Sequence, residues 1–297
     1  MYYIIFYNKV KMSLEILNKY KIKAKKSLWQ NFLVNNDIVE EIANSINIKW
    51  KNIVEVWPGY GALTEKLILR KPKSLNLVEL DRDMIDILEK RIKNNDFDLD
   101  WINFHINNID VLKYEPTLYS HPPFEERSSE DLKYTYSVIA NIPYYITSPI
   151  LRHFLYDVEN KPENMVILMQ KDVWDKILWK GKNKSSVLSL FIDKKAKVWE
   201  FIVVWKHNFI PSPKIESSVL IFEMHNEYSE INDDKFLELI KKWFKEPRKM
   251  LMKNLVNSWY DKKYIIQSFY DLWIKDTIRW EDLNIYMWCQ LYLKINN

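Results

Sequence analysis

The chain has 297 residues, 44 Lys and Arg against 40 Asp and Glu, one Cys and 47% hydrophobic residues. That length and apolar content suffice to bury a core in one large domain, or one with a small satellite. The lone Cys excludes a disulfide framework and a thiolate metal cage, and fits a reducing cytosol.

Lys19, Lys21, Lys23, Lys25 and Lys26 crowd the start and precede a helical pattern over Asp37–Ile46. The Tyr2–Tyr7 run before them is too short for a secretory leader, and no apolar run approaches the roughly 20 residues that span a bilayer. Ile53–Val56 reads as a strand that runs into Trp57-Pro58-Gly59-Tyr60-Gly61 and then a helix through Leu69. Leu75–Leu80 is a second strand, carrying Glu79 and followed by Asp81, with a helix through Lys93. Ile102–Ile106 reads as a third strand, before Asn108-Ile109-Asp110. Strands alternating with helices predict βαβ units and a parallel sheet. The polar stretch Tyr114–Tyr136 reads as a long surface loop. Ser137–Ala140 and Met165–Met169 are further strands, with a helix over Pro149–Tyr156 between them. Two late strands, Phe201–Val204 and Ser218–Met224, flank Phe209-Ile210-Pro211-Ser212-Pro213. From about Glu227 the pattern is helical, with basic residues from Lys241 to Lys253.

Two stretches carry candidate chemistry. A turn with Gly59 and Gly61 between a strand and a helix brings backbone amides to a ligand, and Glu79 then stands where an acid holds ribose hydroxyls. Such a turn also serves as a plain connection. Asn141-Ile142-Pro143-Tyr144-Tyr145 lies at the carboxyl end of a predicted strand, where open α/β sheets bind ligands. Asn and Pro there are ordinary turn punctuation. They also suit an exocyclic amine, whose hydrogens an Asn oxygen and a backbone carbonyl can accept while a Tyr stacks on the base. His105, His121, His153, His207 and His225 show no paired spacing, so no metal site is expected.

These motifs together resemble the KsgA-type ribosomal RNA adenine dimethylases. The resemblance runs from about Lys25 to Leu283. It rests on Ser27-Leu28-Trp29-Gln30-Asn31-Phe32-Leu33, Glu55–Thr64, Val78-Glu79-Leu80-Asp81, Asp110-Val111-Leu112, Asn141–Tyr145, Phe209–Ser217 and Arg248–Leu255. It implies a Rossmann-like α/β methyltransferase that uses S-adenosylmethionine, in cytoplasm. Its substrate would be two adjacent adenosines of small-subunit ribosomal RNA, in an immature subunit, with the enzyme monomeric. Gln30, Asn31 and Leu33 would close over the cofactor, and position 57 with Gly59 would meet its methionine part. Glu79 would accept from its ribose and Asp110 from its adenine. Asn141 and the Ile142 carbonyl would hold the target N6, between Tyr144 and Phe209. Lys245, Arg248, Lys249 and Lys253 would contact RNA phosphates, although that cluster also reads as a solvated helix face. Three rivals keep the same sheet. They are a large-subunit adenine methyltransferase conferring antibiotic resistance, a catalytically dead assembly factor, and a mitochondrial transcription-factor relative.

The expected organisation is a loose or non-native extension over 1–11, a methyltransferase domain over 12–226 and a helical RNA-binding domain over 227–297. One feature departs from the family pattern, which has glycine at positions 29 and 57, where this chain has Trp. Average usage would give roughly 20 glycines in a chain of this length; there are 3, beside 13 Trp. Trp205 and Trp280 also stand where glycine would be unremarkable. The reading is that many of these tryptophans are glycines in the living protein. UGA codons that some bacteria read as glycine would have been written as Trp.

Overall fold

The computed structural model describes residues 2–116, 135–177, 185–243, 250–257 and 261–296. It divides into two compact units, Met1–Lys171 with Trp199–Glu223, and Asp172–Val198 with Met224–Asn297.

The first unit carries helices α1 (Tyr2–Lys19), α2 (Asn36–Asn44), α3 (Ala62–Ile68), α4 (Arg82–Lys93) and α5 (Thr147–Arg152). Its strands are β1 (Phe32–Leu33), β2 (Asn52–Val56), β3 (Ser74–Glu79), β4 (Asn103–Asn108), β5 (Tyr136–Asn141) and β6 (Asn164–Gln170). Then come α6 (Lys171–Ile177), α7 (Val187–Asp193), β7 (Ala196–Val204), β8 (Phe209–Ile210) and β9 (Ser217–Met224). Seven strands form one sheet in the order β4-β3-β2-β5-β6-β9-β7. Strands β4 through β6 run parallel, and β9 joins β6 antiparallel. The chain leaves β2 for β3 and β4, then returns to pair β5 on the other side of β2. That reversal between β2 and β5 is the switch point where such sheets take their ligands.

The buried strands read as near-continuous apolar runs because helices cover both faces. Ile53, Leu75, Leu77, Ile139, Val166 and Leu168 meet Val39, Ile42 and Leu67 of the helices in one core. Asn35 caps α2 by accepting from the Asp37 amide, and Asp81 caps α4 by accepting from Asp83. Leu17 of α1 packs with Phe32, Tyr60 and Met84, and the Ser13 hydroxyl donates to Asn36. Residues 2–11, expected as a separate extension, are the first turns of this same helix.

The second unit packs Leu190 of α7 against α8 (Asp233–Trp243), α9 (Leu251–Asn257), α10 (Lys262–Asp271) and α11 (Ile285–Asn296). The boundary expected after residue 226 lies close to the observed return at Met224, but Asp172–Val198 also belongs with these helices. Burial explains the difference: Leu190 joins Ile231 and Phe236 in one core, and buried Lys194 pairs with Asp233. The long loop expected over Tyr114–Tyr136 falls mostly on residues 117–134, outside the described residues.

Backbone angles separate the tryptophans. Among the described residues seven non-glycines have positive φ, and four of these are Trp29, Trp50, Trp57 and Trp273. Left-handed backbone costs an L-residue roughly 1–2 kcal/mol, which is why glycine usually takes it. Trp273 shows the role most plainly. Its amide donates to the Tyr270 carbonyl at 3.1 Å, and the Ile274 amide donates to Phe269 at 2.8 Å. That pair of bonds is the Schellman ending of a helix, and its left-handed residue is ordinarily glycine. Trp280, suspected alongside them, is buried among the helices, so geometry gives no ground for glycine there.

Candidate active site

The site forms at the carboxyl ends of β2, β3 and β5. After Val56 the backbone turns at Trp57, whose amide donates to the Val78 carbonyl at 3.0 Å. It continues through Gly59 at φ 56 and Gly61 at φ 85, the cap of α3. A side chain at position 61 would be strained: the backbone is left-handed, and a Cβ there would come within 2.9 Å of Leu88 Cδ2 and 3.0 Å of Phe97 Cζ. Buried Arg91 fixes the turn from behind. It donates to the carbonyls of Tyr60 at 2.8 Å and Gly61 at 3.2 Å, and pairs with Glu65 at 2.8 Å.

A cavity opens beside this turn. Leu28–Leu33, Glu55, Trp57–Tyr60, Glu79–Asp81, Asn141–Pro143 and Tyr145 line it. Three carboxyl groups sit in its wall, those of Glu55, Glu79 and Asp81. Burial pushes Glu79 up to about 7, although its two oxygens accept from the amides of Asp81 at 2.8 Å and Gly59 at 3.2 Å. Burial likewise pushes Glu55 up to about 8, and the neighbouring Glu79 charge adds to the rise. Thr64 beside the carboxyl holds the rise back, and among the described residues Glu55 Oε2 is buried without a well-formed hydrogen bond. A buried, unmatched acceptor beside a cavity is suited to a ligand that brings donors or positive charge.

The segment before β1 lines the cavity as well. Gln30 Oε1 accepts from the Lys25 amide at 2.9 Å, and Gln30 Nε2 donates to Asp81 at 2.7 Å. Lys25 Nζ reaches Asp81 and Asp83, each at 2.6 Å; these two carboxylates hold its ammonium above the usual lysine range. Strand β1 pairs antiparallel with β8, setting Leu33 opposite Phe209.

The structure gathers most of the expected residues. Gln30, Asn31, Leu33, Trp57, Gly59, Glu79, Asn141 and Ile142 all line the cavity. Gln30, however, spends its amide on Lys25 and Asp81, and Asn31 Nδ2 donates to the Trp29 carbonyl at 3.1 Å. Asp110 does not line the cavity; its carboxylate accepts from the Leu112 amide at 3.0 Å, as the cap of a short turn. Phe209 is 3% exposed and packs in the core of the sheet, because its pairing with Leu33 turns it inward. Tyr144 opens the short turn Tyr144–Ile146 after β5. Lys245, Arg248 and Lys249 lie outside the described residues, whereas Lys253 is exposed on α9. Two carboxyl residues of the cavity were given no role from the sequence, Glu55 and Asp81. The signal for Glu55 was a lone acid inside an apolar strand. Among the described residues no group of three or more His, Cys, Asp or Glu is placed to hold a metal, and no helix is long and apolar enough to cross a membrane.

The sequence signature of the family described as ribosomal RNA adenine dimethylase matches residues 21–297. Ribosomal RNA small subunit methyltransferase A of Mesoplasma florum is 35% identical over 282 residues, covering 92% of this chain and 99% of the relative. The protein of the same name from Mycoplasma mobile is 32% identical over 276 residues, covering 92% and 98%. A dimethyladenosine transferase from Plasmodium falciparum superposes with a TM-score of 0.70 at 23% identity, covering 88% of this chain and 95% of that one. The 23S rRNA methyltransferase ErmE superposes at 0.69 with 18% identity, covering 90% and 100%. At those identities the structural likeness establishes the α/β methyltransferase fold.

Proposed function

The chain belongs to the ribosomal RNA adenine dimethylases, and from that premise we propose that it dimethylates N6 of two adjacent adenosines near the 3′ end of small-subunit ribosomal RNA. The observation that carries this reading is the convergence of Glu55, Glu79 and Asn141 on one cavity at the switch point of the sheet. The relatives named small subunit methyltransferase A favour the small subunit over the large-subunit alternative.

The residues present fit S-adenosylmethionine. Glu79 keeps a second lone pair on each oxygen for ribose hydroxyls, and the unmatched Glu55 oxygen offers an acceptor to the cationic part. When bound, that cofactor supplies an electrophilic methyl on a sulfonium. The protein's own work is positioning and polar preorganisation. The Asn141 amide has no partner among the described residues, and its oxygen, with the Ile142 carbonyl, accepts the hydrogens of the target amine. Tyr144 and Phe209 would sandwich the base, which requires Phe209 to turn out of the core. Asp110 would leave its turn to accept from the cofactor adenine. Lys245, Arg248, Lys249 and Lys253 carry the phosphate contacts of an immature subunit, and the enzyme acts as a monomer in the cytoplasm.

Position 57 does not fit as written. A Trp there lines the cavity on left-handed backbone, and such a side chain brings roughly 150–250 Å² of surface into the space meant for the cofactor. We propose that Trp29, Trp50, Trp57 and Trp273 are glycines in the living protein, encoded by UGA. The dead-factor reading gains if Trp57 is native.

Methyl transfer from labelled S-adenosylmethionine to separated small and large subunits lacking the modification tests the function. Label in adenines of small-subunit RNA is expected. Label confined to the large subunit, or none with the natural protein, overturns it.

A further inference from the structure

We infer that Asp81 is a positioning residue that latches the segment 25–31 across the cofactor cavity and so sets how long the cofactor stays bound. This inference rests on the cofactor reading above.

Ile22 and Ala24 pack against the core around Phe32 and Tyr60, but in the segment from Lys25 to Asn31 no residue is buried. Yet its second half forms one wall of the cavity. The segment is closed on itself at both ends: the Lys25 amide donates to Gln30 Oε1 at 2.9 Å, and the Gln30 amide donates to the Lys25 carbonyl at 3.4 Å. Both ends of this ring then meet one carboxylate. Lys25 Nζ lies 2.6 Å from Asp81 Oδ1, and Gln30 Nε2 lies 2.7 Å from Oδ2. The Asp81 side chain is 3% exposed, so these are charge-assisted bonds at a largely dry acceptor. Asp81 in turn lines the cavity just after β3, where its amide donates to Glu79 Oε1 at 2.8 Å. One carboxylate therefore joins the segment 25–31 to the strand end that bears Glu79. A binding-competent arrangement held only part of the time lowers apparent affinity by that fraction.

Asp81 also caps α4 through the Asp83 amide at 3.0 Å, and the variants must separate the two roles. Lys25→Met leaves the cap untouched. Asp81→Asn keeps a capping oxygen but turns an amide donor toward a second donor at Gln30 or Lys25. In the full-length chain without cofactor, both variants should speed hydrogen exchange of the amides of residues 26–31 by about tenfold, with exchange in α4 unchanged. In the full-length chain carrying Trp29→Gly and Trp57→Gly, Lys25→Met should raise the dissociation rate of S-adenosylmethionine by about tenfold and leave the maximal methylation rate unchanged. Unchanged exchange over 26–31 in both variants overturns the latch, as does an unchanged dissociation rate. A parent protein that binds no S-adenosylmethionine overturns the cofactor reading instead, and the exchange experiment still judges the latch.

Discussion

Trp57 and Trp273 adopt the same backbone angle, φ 56, in opposite surroundings. Trp57 follows β2 and lines the cavity between Glu55 and Gly59. Trp273 follows α10 in the helical unit and is 93% exposed. Each carries the same left-handed penalty of roughly 1–2 kcal/mol. At 273 the indole projects into solvent, so the penalty falls on stability alone. At 57 the side chain also occupies space that a ligand needs. The same residue in the same conformation is a conformational fault in one place and a functional one in the other.

The largest expected effect lies on the cavity side of that comparison. Trp57→Gly together with Trp29→Gly should tighten S-adenosylmethionine binding by about 3 kcal/mol, the upper end of an overpacking cost and roughly a hundredfold in Kd. Calorimetry reads this directly, and an unchanged Kd would make Trp57 compatible with the cofactor. Asn141→Ala should be as severe on rate, about a hundredfold or 3 kcal/mol, while cofactor affinity stays within a few-fold. Single-turnover methylation separates the two quantities.

The buried carboxyls sharpen the comparison through pH. Both Glu79 and Glu55 are raised by burial, to about 7 and about 8, from an ordinary 4.5. The folded state therefore keeps protons that the unfolded chain has lost. Stability without cofactor should fall as pH rises from about 4.5 toward 8. Cofactor affinity should rise through the upper part of that window, because ionised carboxylates suit ribose donors and a positive ligand. Urea midpoints and Kd measured from pH 5 to 8.5 check both signs. Glu55→Gln should flatten each curve.

The helical unit should respond less. Trp273→Gly should add about 1 kcal/mol of stability by relieving the left-handed residue, with cofactor binding unchanged. Denaturant melts read the gain. Lys253→Gln should lower the salt slope of RNA binding by roughly 0.7, one single-strand phosphate contact. A slope equal to that of the parent would return Lys253 to a solvated face.

Much of the sheet was legible because its strands are apolar runs divided by helical periods, whereas its switch point emerges only from the strand order of the fold. Glu79, Gly59 and Asn141 were legible for the same reason, since each stands at the end of a strand. The roles of Gln30 and Asp81 were not. They meet across 51 positions of sequence, and no local pattern announces such a pair. Asp172–Val198 was assigned to the wrong unit because its partners, such as Ile231 and Phe236, come later in the chain. Phe209 was expected to stack on the target base with Tyr144, but it lies buried in the core, on the two-residue strand β8 paired with β1. The tryptophan excess was visible in composition. Only backbone angles showed which positions ask for glycine.

The claim on which the cofactor reading depends most is that the turn after β2 is built for a residue without a side chain. Peptide mass spectrometry of the protein isolated from its own cells tests it most directly. The peptide spanning Val56 to Tyr60 should carry glycine at position 57, and that spanning Leu272 should carry glycine at 273. Tryptophan at 57 would contradict the account and favour an assembly factor that binds ribosomal RNA without methylating it.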